Sequence, residues 1–277
     1  MRMTLDTLSE HETAVQAATA NSQRYDYWRD GFQVSPGALL SESEVSQAAE
    51  HAWRVLNGVY ETGEPRTNTG GPDSSKHPPY IEAAMPQDAD SVLAEILRHS
   101  RLAEWTAEVT GAKRLKVWNF MVMAKYPTGS AKTVVGWHQD RRYFEQIIIG
   151  RTVNLWVALT DVTSELGPVR FVPGSNNWGA RYSTGFFEHD TDKQREDIQV
   201  PEGKVWEELE SVLPAGWASA HGAQTLHGSG PNCGSRPRLN MLINYGIDDF
   251  EMVPDTYFET RKDDLAATPV VYPINAN

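Results

Sequence analysis

The segment GWHQDRRYF, residues 136–144, places a histidine and an aspartate two positions apart among aromatic residues. Side chains at positions i and i+2 of a β-strand point to the same face of a sheet. His138 and Asp140 would therefore project side by side, and one imidazole and one carboxylate would reach a common point. Two histidines and one carboxylate on one face of a metal are typical of non-haem Fe(II) oxygenases. Taken alone, however, an H-x-D triplet favours an ordinary surface pair over a metal site.

The residues around this segment have the alternation expected of β-strands. In LKVWNFMVMAKY, residues 115–126, one predicted face carries Val117, Asn119, Met121, Met123 and Lys125. Polar residues on an otherwise apolar inner face indicate a lined pocket, because a buried polar group without a partner is costly. Further strands are predicted in RTVNLWVAL, RFV, GWASAHGAQTLHGS and RLNMLINYGI.

The residues before position 113 read as helices instead. The stretches 8–31, 41–59 and about 88–111 have helical composition or spacing, with a serine cap at Ser41 and an end at Gly111. Helices followed by short strands predict a mainly β protein, an antiparallel sandwich or barrel buttressed by helices.

Composition excludes several classes of partner. The 277 residues carry a net charge of −12 without a Lys/Arg run, which disfavours nucleic acids and anionic membrane surfaces. No apolar run approaches the length of a membrane span, and the polar start lacks the apolar core of a secretory signal. The single cysteine, Cys233, excludes an intrachain disulfide and fits a cytoplasmic location. We interpret its thiol as incidental.

The third metal ligand is expected to be a histidine on a later strand. His189 lies in a charged stretch that we interpret as a solvated insertion. His221 is interpreted as a core histidine, with a hydrogen-bonding partner of the metal ligands as the alternative. Only His227 begins HGSGPN and is followed, eleven residues on, by Arg238 at the head of an alternating strand.

These segments in this order, WHQD, VNLWVALTDVTSELGPVRFVPGS and HGSGPNCGSRPRLNMLINY, resemble the phytanoyl-CoA dioxygenase family of Fe(II)/2-oxoglutarate oxygenases over roughly residues 25–250. The resemblance implies a double-stranded β-helix, a cupin-like jelly roll, with iron between its sheets. We expect a single domain over residues 1–277, with a helical part to about 112, the jelly-roll core at about 113–250 and a tail at 251–277.

The resemblance also implies roles for individual residues. His138, Asp140 and His227 match the iron ligands, and Arg238 matches the arginine that binds 2-oxoglutarate through a forked contact. Arg236 competes for that role, but spacing favours Arg238. The other residues expected around the cosubstrate are Ser229, Trp156, Lys125, Asn119 and Gln139. Those expected near the substrate are Tyr143, Phe144, Arg142 and Met123.

The implied activity is a dioxygenase that uses Fe(II), 2-oxoglutarate and O₂ to oxidise a C–H bond of a small, partly hydrophobic metabolite, with natural-product tailoring as the expected context. Hydroxylation is the expected outcome, while cyclisation, epimerisation and desaturation stay open. Because related halogenases lack the carboxylate ligand, Asp140 predicts no halogenation. The alternatives are a cupin-like isomerase or hydrolase and a non-catalytic jelly-roll binding module. Arg238 counts against the first, and the complete triad counts against the second.

The loop at residues 61–80 is long and poor in apolar side chains. Such loops inside a compact domain are often functional. We expect it to border the iron pocket, together with the insertion at 186–205, and to influence substrate selectivity. A remote connector is the alternative. The sequence does not predict the oligomeric state.

Overall fold

A computed structural model describes residues 9–71, 79–127, 133–181 and 190–273. Within these ranges the helices are α1 (Glu10–Arg24), α2 (Tyr27–Asp30), α3 (Glu42–Leu56), α4 (Ser91–Ile96), α5 (Ser100–Thr110), α6 (Arg141–Phe144), α7 (Thr191–Asp197) and α8 (Tyr257–Thr260). The strands are β1 (Phe32–Val34), β2 (Thr67–Asn68), β3 (Tyr80–Ala84), β4 (Leu115–Lys125), β5 (Val135–His138), β6 (Ile148–Ala158), β7 (Val169–Phe171), β8 (Leu209–Glu210), β9 (Ala218–Gly222), β10 (His227–Ser229), β11 (Arg238–Met252) and β12 (Val270–Tyr272).

The strands form two antiparallel sheets. The larger has the order β1-β9-β6-β11-β4-β3-β2, with β12 also paired to β4, and the smaller has the order β5-β10-β7-β8. The inner faces of the sheets meet, since Phe32 of the larger sheet stacks on Phe171 of the smaller one with ring centroids 4.5 Å apart. The predicted jelly roll with buttressing helices is confirmed.

Helices cover the outer face of the larger sheet. Helix α3 begins at the predicted cap, where Ser41 and Glu44 form a reciprocal capping box, and α5 ends at Gly111 in the left-handed conformation. Residues such as Ala52 of α3 and Leu102 of α5 belong to one buried cluster with the outward-facing side chains of the sheet. The outer face of the central strands β4, β6, β9 and β11 is therefore mainly apolar, whereas Asn119, Asn154 and His221 lie on the inner face.

Three details differ from the sequence predictions. The helical stretches at 8–31 and 88–111 are each two helices, because Tyr25 and Asp26 are extended between α1 and α2 and His99 is extended between α4 and α5. The region before residue 113 also contributes β1, β2 and β3, short strands that extend the larger sheet beyond β9 and β4. Finally, Val117 packs in the helix-side core instead of beside Asn119, because a register shift pairs it with Tyr245.

No helix among the described residues combines the length and apolar character needed to cross a membrane.

Candidate active site

The smaller sheet brings two histidines together at the centre of the molecule. Strands β5 and β10 are paired with His138 opposite His227, and their ring centroids lie 4.1 Å apart. The Asp140 carboxylate completes a buried group in which one possible ligand atom from each residue lies within 4.8 Å of the others. The structure thus assembles the three residues that the sequence singles out as metal ligands.

Asp140 approaches the two histidines from outside the strand on which the sequence analysis places it. Strand β5 ends at His138, and Asp140 has helical backbone angles (φ −61°, ψ −29°) at the start of α6. The chain turns here because Arg141 N donates to Ala223 O at 2.9 Å. The aspartate is therefore not on the face of a strand, yet its carboxylate lies 3.4 Å from His138 Nε2 and 3.6 Å from His227 Nε2.

Both histidines are oriented by backbone carbonyls. His138 Nδ1 donates to Gly136 O at 2.8 Å, and His227 Nδ1 donates to Thr225 O at 2.9 Å. With Nδ1 of each ring held by a carbonyl, Nε2 of each ring is turned towards Asp140 and is the nitrogen that would bind a metal.

The pKa values of Asp140 and His227 also favour binding of a cation between them. Burial alone would raise the pKa of Asp140, but the neighbouring imidazoles of His227 and His138 outweigh it and hold the pKa well below its ordinary value. Burial lowers the pKa of His227, and the adjacent His138 lowers it further. An ionised carboxylate at Asp140 and an imidazole at His227 that loses its proton readily both favour metal binding.

A buried arginine lies at the other end of the same cavity. Arg238 is only 3% exposed, its Nη1 donates to Gly167 O, and its Nε has no hydrogen-bond partner among the described residues. Burial lowers its pKa to about 10. Within the described ranges no carboxylate lies within ion-pair distance of Arg238. A desolvated cation of this kind favours an anionic ligand.

Lys125 places a buried amino group beside Arg238. The two residues are opposite each other on β4 and β11. Lys125 Nζ donates to Ser229 Oγ at 2.6 Å and to Gly230 O at 2.7 Å. Burial lowers the pKa of Lys125 well below its ordinary value, and the charges of Arg238 and Arg170 lower it further. Arg236, by contrast, points away and donates to Asp161 O and Glu10.

One cavity of about 100 Å³ joins the triad to Arg238. Its lining residues are Tyr80, Met123, Val135, His138, Asp140, Trp156, Val169, His221, His227, Gly228, Ser229, Arg238 and Leu242. The cavity therefore includes Ser229, Trp156 and Met123 from the sequence predictions, while Lys125 lies behind Ser229.

Gln139 is placed differently from the sequence prediction. Its Nε2 donates to Gly179 O at 3.0 Å and to Gln224 O at 2.6 Å, and its Oε1 accepts from Arg181 N at 2.7 Å. The side chain ties three backbone segments together and does not line the cavity. Because its amide is hydrogen bonded to backbone groups, Gln139 supports the fold around the site and is not part of the cavity wall.

The predicted substrate residues after Asp140 are spread over α6. The Tyr143 ring is 6.2 Å from that of His138, whereas Phe144 packs edge-on against Trp118, and Arg142 is exposed. Phe144 also lines a second cavity of about 420 Å³, whose wall includes the neighbours of Asp140 and His221. The residues lining it are Tyr27, Trp28, Gly31, Arg141, Phe144, Glu145, Ile148, Ile149, Gly150, Arg151, Thr152, Asn176, Gly222, Ala223 and Gln224.

Sequence reasoning missed several residues of the site. Tyr80 lines the cavity from β3, a strand that was not predicted. His221 lies with Nε2 3.5 Å from Asp140 Oδ2, so it is a neighbour of the triad and not only a core residue. Asn154 and Asn244 also contact the triad or its neighbours. Their positions on the polar faces of alternating strands were the signal that could have revealed them.

The predicted lid lies partly outside the described residues, which omit 72–78 and 182–189. The described part of the first segment is attached to the fold: Glu61 N donates to Ala89 O, and Gly71 N donates to Leu56 O. In the second segment, Gln194 of α7 accepts a hydrogen bond from Trp137 N at 2.8 Å and so supports strand β5.

Comparisons with known proteins agree with this site. The family model of phytanoyl-CoA dioxygenase (PhyH) matches residues 27–240. The probable alpha-ketoglutarate-dependent hypophosphite dioxygenase of Stutzerimonas stutzeri is 26% identical over 161 residues, which are 56% of this chain and 52% of that protein. The match thus spans about half the length of this curated relative.

Two solved structures share the fold. The epimerase SnoN from nogalamycin biosynthesis, solved in complex with Fe³⁺, alpha ketoglutarate and nogalamycin RO, has a TM-score of 0.62 at 23% identity, covering 88% of this chain and 87% of SnoN. The carbocyclase SnoK, also from nogalamycin biosynthesis, has a TM-score of 0.63 at 20% identity, covering 98% of this chain and 99% of SnoK.

Proposed function

Because the chain belongs to the phytanoyl-CoA dioxygenase family, we propose that it is an Fe(II)- and 2-oxoglutarate-dependent dioxygenase that oxidises a C–H bond of a small, partly hydrophobic metabolite. One observation carries the proposal. The His138–Asp140–His227 group shares one cavity with the guanidinium of Arg238, which forms no ion pair with a carboxylate among the described residues. A cation site and an anion site so close together suit a metal chelated by a dicarboxylate.

The residues present fit both groups. Two neutral imidazoles and an ionised carboxylate are the donor set of non-haem Fe(II) oxygenases. Arg238, with Ser229 and Lys125 beside it, would bind the distal carboxylate of 2-oxoglutarate, because its Nε donates to no other group in the described part of the chain. When bound, Fe(II) and 2-oxoglutarate supply the oxidation: O₂ and 2-oxoglutarate are converted to succinate and CO₂, and one oxygen atom goes to the substrate.

The chain itself orients these ligands and limits water. Trp156 and Leu242 of the larger sheet and Val135 and Val169 of the smaller one give the cavity apolar walls between the triad and Arg238. Excluding water strengthens the charge interactions inside the cavity and suppresses side reactions. Asp140 occupies the carboxylate position, so we expect no chlorinated product when chloride is present.

For the substrate we propose a free organic metabolite, with natural-product tailoring as the context. The chain has a net charge of −12 and no basic cluster for the phosphates of coenzyme A. The larger cavity beside α6 has aromatic walls from Tyr27, Trp28 and Phe144. SnoN and SnoK act in nogalamycin biosynthesis as an epimerase and a carbocyclase. Hydroxylation is our leading reaction, with epimerisation, cyclisation and desaturation as the others. A clear preference for an acyl-CoA over its free acid in a 2-oxoglutarate turnover screen would contradict this proposal.

We further infer a single catalytic domain in the cytoplasm. The shared core of α3, α5 and the larger sheet supports one domain, and the single cysteine, Cys233, suits a reducing compartment.

The decisive experiment is spectroscopic. Anaerobic addition of Fe(II) and then 2-oxoglutarate should give the weak visible charge-transfer band of the chelate. His138→Ala and Asp140→Ala should abolish both the band and substrate-dependent succinate formation, because each removes a ligand. His11→Ala is the matched control, since His11 is 59% exposed and pairs with Asp161 at the surface. A folded, iron-loaded protein without the band would favour the isomerase, hydrolase or binding-module alternatives.

A further inference from the structure

A row of polar side chains crosses the inner face of the larger sheet beside the triad. Asn119 of β4 is in register with Asn244 of β11, Asn244 with Asn154 of β6, and Asn154 with His221 of β9. All four are at least nine-tenths buried. We call Asn119, Asn244 and Asn154 the asparagine row.

The amides of this row are hydrogen bonded in one direction. Asn119 Nδ2 donates to Asn244 Oδ1 at 2.8 Å, and Asn244 Nδ2 donates to Asn154 Oδ1 at 2.6 Å. Asn154 Nδ2 then donates to Asp140 Oδ2. Asn119 Oδ1, the acceptor at the far end, has no partner among the described residues. This is the arrangement expected when the carboxylate sets the polarity of the chain, because a carboxylate only accepts hydrogen bonds.

The second hydrogen of the Asn154 amide faces His221. Asn154 Nδ2 and His221 Nε2 are 3.1 Å apart, so the imidazole nitrogen accepts. Both hydrogens of one amide are thus used, one on Asp140 and one on His221. With Asn154 Oδ1 held by Asn244, the Asn154 side chain is fixed at every polar atom.

We propose that the asparagine row positions Asp140 as a one-oxygen metal ligand. Asn154 donates to Oδ2, which also lies 3.6 Å from His227 Nε2, so Oδ1, 3.4 Å from His138 Nε2, is the oxygen that would bind the metal. Asn154 is a positioning residue that acts through Asp140, and Asn244 and Asn119 act through Asn154. The inference rests on the proposed function only in taking the triad as the metal site.

Metal affinity without 2-oxoglutarate tests this directly. Mn²⁺ binding to the apoprotein is followed by the loss of the free-ion electron paramagnetic resonance signal, with thermal unfolding measured in parallel. Asn154→Leu should weaken Mn²⁺ binding by about 10–100-fold, the usual loss when a partner of a metal ligand is removed. Asn240→Leu is the matched control, because Asn240 is equally buried on β11 but its side chain makes no hydrogen bond within the described residues. It should change the affinity less than twofold.

Two changes at Asn244 separate positioning from packing. Asn244→Asp keeps the shape but presents an oxygen to Asn154 Oδ1, so the Asn154 amide should turn away from donating to Asp140. The proposal therefore predicts a larger loss of Mn²⁺ affinity for Asn244→Asp than for Asn244→Leu, whereas a packing role predicts the reverse order. Wild-type affinity in a folded Asn154→Leu protein would overturn the proposal. If that variant does not fold, the order of the two Asn244 variants decides.

Failure of the proposed oxygenase function would give a different result from failure of the asparagine-row proposal. If the triad binds no metal, the wild type itself shows no Mn²⁺ binding, and the proposed function fails. If the wild type and Asn154→Leu bind equally, only the role of the asparagine row fails.

Discussion

Replacing Arg238 by methionine should weaken the binding of 2-oxoglutarate while stabilising the empty protein. The guanidinium is buried, and a pKa lowered from 12.5 to about 10 corresponds to about 3 kcal/mol of unfavourable charge burial. Methionine removes this cost but loses the hydrogen bond to Gly167 O, worth about 1 kcal/mol. The ligand-free variant should therefore be about 1–2 kcal/mol more stable, which raises Tm by about 2–6 °C.

Binding should change in the opposite direction. Removing one partner of a desolvated, charge-assisted pair costs about 2–5 kcal/mol, or roughly 30- to 5000-fold in Kd. The assay titrates 2-oxoglutarate anaerobically into the Fe(II)-loaded protein and follows the charge-transfer band, and Tm is measured without metal or cosubstrate. Arg236→Met is the control, because Arg236 lies two residues away and contacts Asp161 and Glu10 instead. A lowered Tm together with a Kd within threefold of wild type would show that Arg238 is structural and refute the reasoning.

Three further predictions follow from particular contacts. The backbone N–H and then the hydroxyl of Ser41 lower the pKa of Glu44 from 4.5 to about 2, so its stabilising effect is complete above pH 4.5 and lost as the pH falls towards 2. In urea unfolding, Glu44→Gln should therefore lose less stability than wild type across this window, and equal losses would contradict the assignment. Gly136→Ala should lower both Tm and metal affinity, because the new Cβ would lie 2.5 Å from Gln194 Oε1, whereas Gly37→Ala meets open space and should have little effect. Unchanged metal affinity in Gly136→Ala would show that the contact with Gln194 of α7 does not support the metal site. Shortening the loop at 63–75 should raise the substrate KM or uncouple 2-oxoglutarate consumption from oxidation while leaving the chelate band intact, and unchanged coupling and KM would make the loop a connector.

The sequence by itself predicted the parts of this protein that depend on local pattern. The alternation in β4 and β6 indicated strands with polar residues on one face, because side chains two apart share a face whatever the rest of the fold does. The start of α3 at Ser41 and the end of α5 at Gly111 were likewise predicted, because the backbone groups at both helix ends are hydrogen bonded to residues about one turn away. The order and spacing of His138, Asp140, His227 and the later arginine indicated the family.

Only the tertiary structure decided how those residues meet. Asp140 lies at the start of α6 and not on strand β5. The Gln139 side chain donates to the carbonyls of Gly179 and Gln224, which lie 40 and 85 positions later in the sequence. The asparagine row depends on a pairing between Asn119 and Asn244, which are 125 residues apart. Strand register sets such contacts, and a shift of one residue would turn these side chains to the opposite face. Local periodicity shows which side chains share a face, but the packing of distant strands determines which of them touch.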